Sequence, residues 1–130
     1  MKLVVCYTHG GYEGTWTENL CVEYESKDHF LVAFIDAFEA WAAQCKERDR
    51  LQKRLSDARA SQDRKKIDAA WAEWQAYCED HPVYGDIVVD GMVFNSFEDY
   101  ERNNGEYVIV RYPDVYTLEE WFELNRPETA

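Results

Sequence analysis

The chain has no uninterrupted apolar run of membrane-spanning length, no proline before Pro82, three histidines, and almost no positive charge outside one short segment. Each shortage excludes something. A spanning helix needs about 20 consecutive apolar residues, so none is expected. The apolar start, Leu3 to Tyr7 behind Lys2, is too short for the hydrophobic stretch of a signal peptide and reads as a first β-strand. On that reading the chain is expected in the cytoplasm. In that compartment Cys6, Cys21, Cys45 and Cys78 stay reduced and pack as small hydrophobes.

No glycine-rich loop opens a helix, which removes the P-loop and the dinucleotide fingerprint. His9, His29 and His81 fall in no arrangement of nucleophile, base and orienting group, so no catalytic residue is assigned and the chain reads as a binder, not an enzyme. Cys6, His9, Cys21 and His29 have metal-ligand chemistry but lack the close Cys-x-x-Cys spacing of a zinc knuckle. They are taken as thiols and surface imidazoles, and no metal or cofactor is expected.

What is abundant is acid. The net charge is −12, with 26 acidic side chains against 14 basic ones. Nine of those bases lie between Lys46 and Lys66 with four acids among them, which leaves five bases against 22 acids elsewhere. Such a surface repels nucleic-acid phosphate, so general DNA or RNA binding is not expected except at the basic tip. It suits a solubilised surface, or a mimic of nucleic acid aimed at a basic partner.

At 130 residues the chain has the size of one domain. Residues 2–8 and 19–25 alternate with the period of a strand, Leu3, Val5 and Tyr7 on one face and Leu20, Val22 and Tyr24 on the other strand's matching face. A pairing with Val5 opposite Val22 and Cys6 opposite Cys21 makes residues 1–26 a β-hairpin, with a long, glycine- and aromatic-rich loop from His9 to Glu18. Loops of that composition often hold ligands, which makes Tyr12 a candidate.

From Ser26, a plausible N-cap, the period becomes helical: Phe30, Phe34, Phe38, Trp41 and Cys45, thinning to Leu51, Leu55 and Ala58, then Ile67, Ala70, Trp71, Trp74 and Cys78. The two stripes match in phase if the chain reverses at Ala60-Ser61-Gln62, with Leu55 level with Ile67 and Leu51 with Trp71. Residues 27–80 are therefore predicted to form an antiparallel helical hairpin with a basic tip. Thin stripes on long helices ask for cover, which predicts a homo-oligomer.

Beyond Pro82, residues 84–126 hold further β structure. Asp90-Gly91 between Ile87-Val88-Val89 and Met92-Val93-Phe94 predicts a tight hairpin. Ser96 and Asp99 suggest a capped short helix ended by Asn103-Asn104-Gly105, Glu106 to Tyr112 a strand, and Thr117 with Glu120 a capping box for a last helix. The fold class is thus α+β: antiparallel sheet, long helical hairpin, short C-terminal helix.

Phe94, Asn95, Asn104 and Arg111 form the candidate ligand group, because aromatics stack on bases, amides read base edges and guanidinium grips phosphate. In its order of parts the chain resembles small phage anti-defence proteins, the Thoeris anti-defence family above all, through Phe94 and Asn104, ten residues apart. The resemblance implies sequestration, without cleavage, of a cyclic ADP-ribose-type signal by an oligomer. The competing expectation, from charge alone, is an acidic inhibitor of the anti-CRISPR or anti-restriction kind that binds a basic host defence protein. A small enzyme is third.

Overall fold

Alternation of apolar residues along the first strand and the helical period after Ser26 produce the two parts of this α+β fold. The computed structural model describes residues 1–11, 14–80, 87–94 and 99–126. The elements run β1 (Lys2–Gly11), β2 (Gly14–Glu23), α1 (Lys27–Ser61), α2 (Arg64–Asp80), β3 (Ile87–Val89), β4 (Met92–Phe94), β5 (Tyr100–Asn103), β6 (Glu106–Ile109), β7 (Asp114–Thr117) and α3 (Leu118–Leu124). They divide into two compact units, one of residues 1–38 with 87–130 and the other of residues 39–86, so that α1 changes unit after Phe38. No helix among the described residues is long and apolar enough to cross a membrane.

In the first unit β1 is the middle strand of an antiparallel sheet ordered β2-β1-β7. Being central, it is buried on both faces, Leu3, Val5 and Tyr7 on one and Val4 and Thr8 on the other. Ser26 caps α1 as expected: its hydroxyl accepts the backbone N–H of His29 at 3.2 Å. Phe30 and Phe34 descend from α1 into the core, where Phe34 lies 4.9 Å from Phe94 and Phe94 lies 4.6 Å from Tyr7, ring centre to ring centre. The β3–β4 hairpin adds Ile87, Val89, Met92 and Phe94, all buried, from one of its faces. Asp90 and Gly91 both take positive φ, 47° and 82°, the type I′ geometry that Asp-Gly favours.

The first hairpin departs from its expected register. Val5 pairs with Leu20, Val4 with Cys21, and Cys6 with Asn19. The pairing continues through His9–Trp16 to Gly11–Gly14, so the expected ligand loop from His9 to Glu18 is almost entirely strand. A shift by two residues keeps every side chain on its expected face, because side chains alternate with a period of two. Cys6 and Cys21 are therefore not opposite one another, and all four cysteines are free thiols.

Two further corrections lie downstream. Tyr100–Asn103 is the strand β5, where a capped helix was expected, and it pairs with β6 through a type I′ turn at Asn104 and Gly105 (φ 52° and 81°). Ser96, the expected cap, lies outside the described residues. The strand expected over Glu106 to Tyr112 stops at Ile109, where its partner runs out; Val110 and Arg111 instead donate both backbone N–H groups to the Asp99 carbonyl, at 2.9 and 3.1 Å. The chain then returns to β1 as β7, with Val5 opposite Val115. The Thr117–Glu120 capping box on α3 forms as expected.

In the second unit the remainder of α1 and α2 make the antiparallel helical hairpin. The reversal falls where the sequence puts it: Gln62 has a positive φ of 58°, and the Ser61 hydroxyl donates to the Ala58 carbonyl at 2.6 Å. Leu55, Ala58 and Ala70 form the seam, with Ile67 and Trp74 packed against it. Trp71, expected against Leu51, is instead 42% exposed. The line on α2 that faces the seam is Ile67-Ala70-Trp74, spaced three and four, and Trp71 stands about 100° round the helix from Ala70. Across the same hairpin Arg50 and Arg54 both reach the Glu73 carboxylate, and the Tyr77 hydroxyl donates to the Gln44 carbonyl at 2.8 Å.

Candidate functional site

Three places in the structure bear on function: a small cavity in the first unit, the outer edge of β2, and a groove at the hinge of the second unit. The cavity forms where β7 stops pairing with β1 at Cys6 and leaves Tyr7 and Thr8 beside the segment from Arg111 to Asp114. Phe34 and Phe38 of α1, Phe94 of β4 and Tyr100 of β5 close it from the other sides. Its volume is about 30 Å³, the share of about one water molecule in the liquid and an order of magnitude below a typical ligand site.

Of the residues chosen from sequence, Phe94 and Arg111 line this cavity. Phe94 is 4% exposed and wedged between Tyr7 and Phe34, so its faces are already occupied by rings. Arg111 is exposed at the rim. Asn104 is not part of the cavity; it occupies the far end of the β5–β6 hairpin, four residues or roughly 13 Å along the strand from Tyr100. Its left-handed backbone explains an asparagine there without a ligand. Asn95 and Tyr12 lie outside the described residues. Burial, and then the carboxylate of Asp114, push the Cys6 thiol up from its ordinary value, so it stays protonated and is no ready nucleophile.

The edge of β2 was not singled out from sequence, because its residues were divided between a loop and a shorter strand. β2 runs ten residues, pairs with β1 on one side, and has no strand on the other among the described residues. Trp16 and Leu20 are 48% and 39% exposed on the face they share with the buried Val5 and Tyr7 of β1. Trp16 is held: its ring stands edge-on to His9 at 4.8 Å and its indole N–H donates to Glu18 at 2.8 Å. His9 is fixed in turn, its Nδ1 donating to the Val93 carbonyl at 3.0 Å.

The hinge groove, about 480 Å³, is lined by Arg54, Ser61, Lys65 and Lys66 with Asp57 among them. Its cations are those the sequence gathered at the tip. Arg54 is engaged by Glu73, and the Asp63 carboxylate accepts the Lys65 backbone N–H at 3.0 Å.

Charge separates the two units. The first carries 16 acidic and five basic side chains and the second ten and nine, so nearly all of the net −12 belongs to the first. Comparison with family models, with curated proteins and with solved structures finds no match.

Proposed function

We propose that the protein is a non-enzymatic binding module whose acidic first unit engages a positively charged protein surface, as an inhibitor that competes with nucleic acid for a basic defence protein would. The observation that carries this reading is the concentration of charge, 16 acids against five bases on one unit. A like-signed surface attracts a cationic partner over about a Debye length and raises the association rate. Phosphate and a carboxylate-rich surface are alternatives for the same arginines and lysines.

The test is competition. Increasing amounts of the protein are added to a DNA-cutting restriction nuclease and to a guide-RNA-directed nuclease. Inhibition that is relieved by excess duplex DNA, and that weakens steeply as salt rises, is the expected outcome. Cleavage unaffected at any ratio, together with no complex in sedimentation, overturns it.

Sequestration of a cyclic nucleotide signal is the second reading, favoured by Phe94 and Arg111 meeting at one cavity. It ranks lower because about 30 Å³ admits no nucleotide and because Asn104 is elsewhere. Thermal stability that rises with added cyclic ADP-ribose would reverse the order.

A further inference from the structure

The backbone of β2 is set up to receive another strand. Tyr24 donates its N–H to the Met1 carbonyl at 3.0 Å, in line with the β1–β2 pairing. In an antiparallel ladder hydrogen-bonded and non-bonded pairs alternate. The even residues of β2 therefore bond inward to β1. Thr15, Thr17, Asn19, Cys21 and Glu23 turn their N–H and C=O groups outward, along an edge with no strand beside it among the described residues.

Long edge strands are usually blunted by proline, lysine or a bulge. β2 has no proline, no lysine and no arginine, and its pairing with β1 is unbroken over all ten residues. The opposite edge of the sheet, by contrast, is β7, only four residues long and followed at once by α3. The charges β2 does carry are Glu18 and Glu23. A second copy of β2 laid alongside would add two more carboxylates and no cation, since the strand holds no lysine or arginine. A basic strand would instead meet opposite charge at each, the favourable case for cross-strand neighbours.

We propose that the outer edge of β2 is a strand-addition site for an extended, basic segment of the partner protein, a proposal that rests on the acidic-binder reading above. Main-chain hydrogen bonds to Thr17, Asn19 and Cys21 give it affinity, and side chains give it specificity. On the face of Trp16, Glu18 and Leu20, the incoming strand presents an apolar residue, a lysine or arginine, and an apolar residue in alternation. Trp16, already pinned by His9 and Glu18, is a preformed wall for the first of these.

The probe is a synthetic peptide of about nine residues in which valine, lysine and valine alternate with threonine, tested on the full chain beside a scrambled peptide of the same composition. Expected is binding of the ordered peptide alone, with new amide-exchange protection at Thr17, Asn19 and Cys21. Asn19→Pro removes one outward N–H and leaves the β1 ladder intact; it should weaken binding by about tenfold or more. Glu18→Lys should weaken binding and flatten its salt dependence. Circular dichroism and an unchanged melting midpoint establish that each variant is folded, and Thr17→Pro serves if Asn19→Pro is not.

Equal binding of both peptides, or undiminished binding by a folded Asn19→Pro variant, overturns the assignment of β2. If that variant still inhibits the nucleases, the acidic-surface reading survives the loss. A dimer that Asn19→Pro converts to monomer means that a second copy holds the edge, which overturns the choice of partner.

Discussion

The Tyr24 hydroxyl donates to the carboxylate of Asp90, 66 residues further along the chain, and so ties the end of the first hairpin to the turn of the second. Asp90 takes a left-handed backbone conformation in that turn. Burial, and then the hydrogen bond to Asp90, push the Tyr24 hydroxyl up to about 12. A raised acid contributes stability in full below its ordinary value of 10, and loses it as pH climbs to the folded value. Tyr24→Phe should therefore cost about 1 kcal/mol at neutral pH, the partly exposed site discounting a charged hydrogen bond. It should also remove a tyrosine ionisation phase at about pH 12 from the near-ultraviolet absorbance. Asp90→Asn should bring that phase down in pH, and an unmoved phase would show that the two groups do not interact.

Phe94 and Trp71 should behave oppositely to what their size suggests. Phe94 packs between Tyr7 and Phe34 at 4% exposure, so Phe94→Ala should destabilise by about 3 to 5 kcal/mol in urea. Trp71 is off the helical seam at 42% exposure, and Trp71→Ala should cost about 1 kcal/mol or less. A large loss at Trp71 would restore the phase in which it faces Leu51.

Asn104 is a turn residue, and substitution there should act on folding alone. Asn104→Ala forces alanine to a φ of 52° and should cost about 1 kcal/mol, while Asn104→Gly should cost almost nothing. Both variants should bind cyclic ADP-ribose isomers no differently from the parent in calorimetry. A selective loss of binding in the alanine variant would instead give Asn104 a ligand.

The start of α3 should be sensitive to acid. The Lys27 ammonium donates to Glu120 at 2.8 Å, and the Thr117 backbone N–H donates to the same side chain at 3.3 Å; together they hold its carboxyl below the ordinary 4.5. A lowered acid stabilises the fold fully above that ordinary value and ceases to as pH falls through the folded one. Melting midpoints of the parent and Glu120→Gln should thus differ at neutral pH and converge in acid. Thr117→Ala removes the reciprocal bond from the Glu120 N–H, 3.1 Å long, and should cost about 1 kcal/mol at neutral pH.

Local chemistry was legible wherever one residue's own preference settles the backbone. Ser26 and Thr117 cap helices because a side-chain oxygen can reach a free N–H two or three residues on. Asp90-Gly91 makes its turn because both residues tolerate positive φ, and the same rule, applied to Asn104-Gly105, would have found the β5–β6 hairpin in place of a helix. The periods of two and 3.6 likewise identify the faces of β1 and α1. How those faces meet is a matter of long-range packing. The β1–β2 register could shift by two residues without turning any side chain to the wrong face, so alternation could not choose it, and the paired strands had to. On α2, periodicity alone admits both Ala70 and Trp71 to the stripe. The rotation of α2 about its own axis turns Ala70 into the seam, 2% exposed, and leaves Trp71, one residue on, 42% exposed.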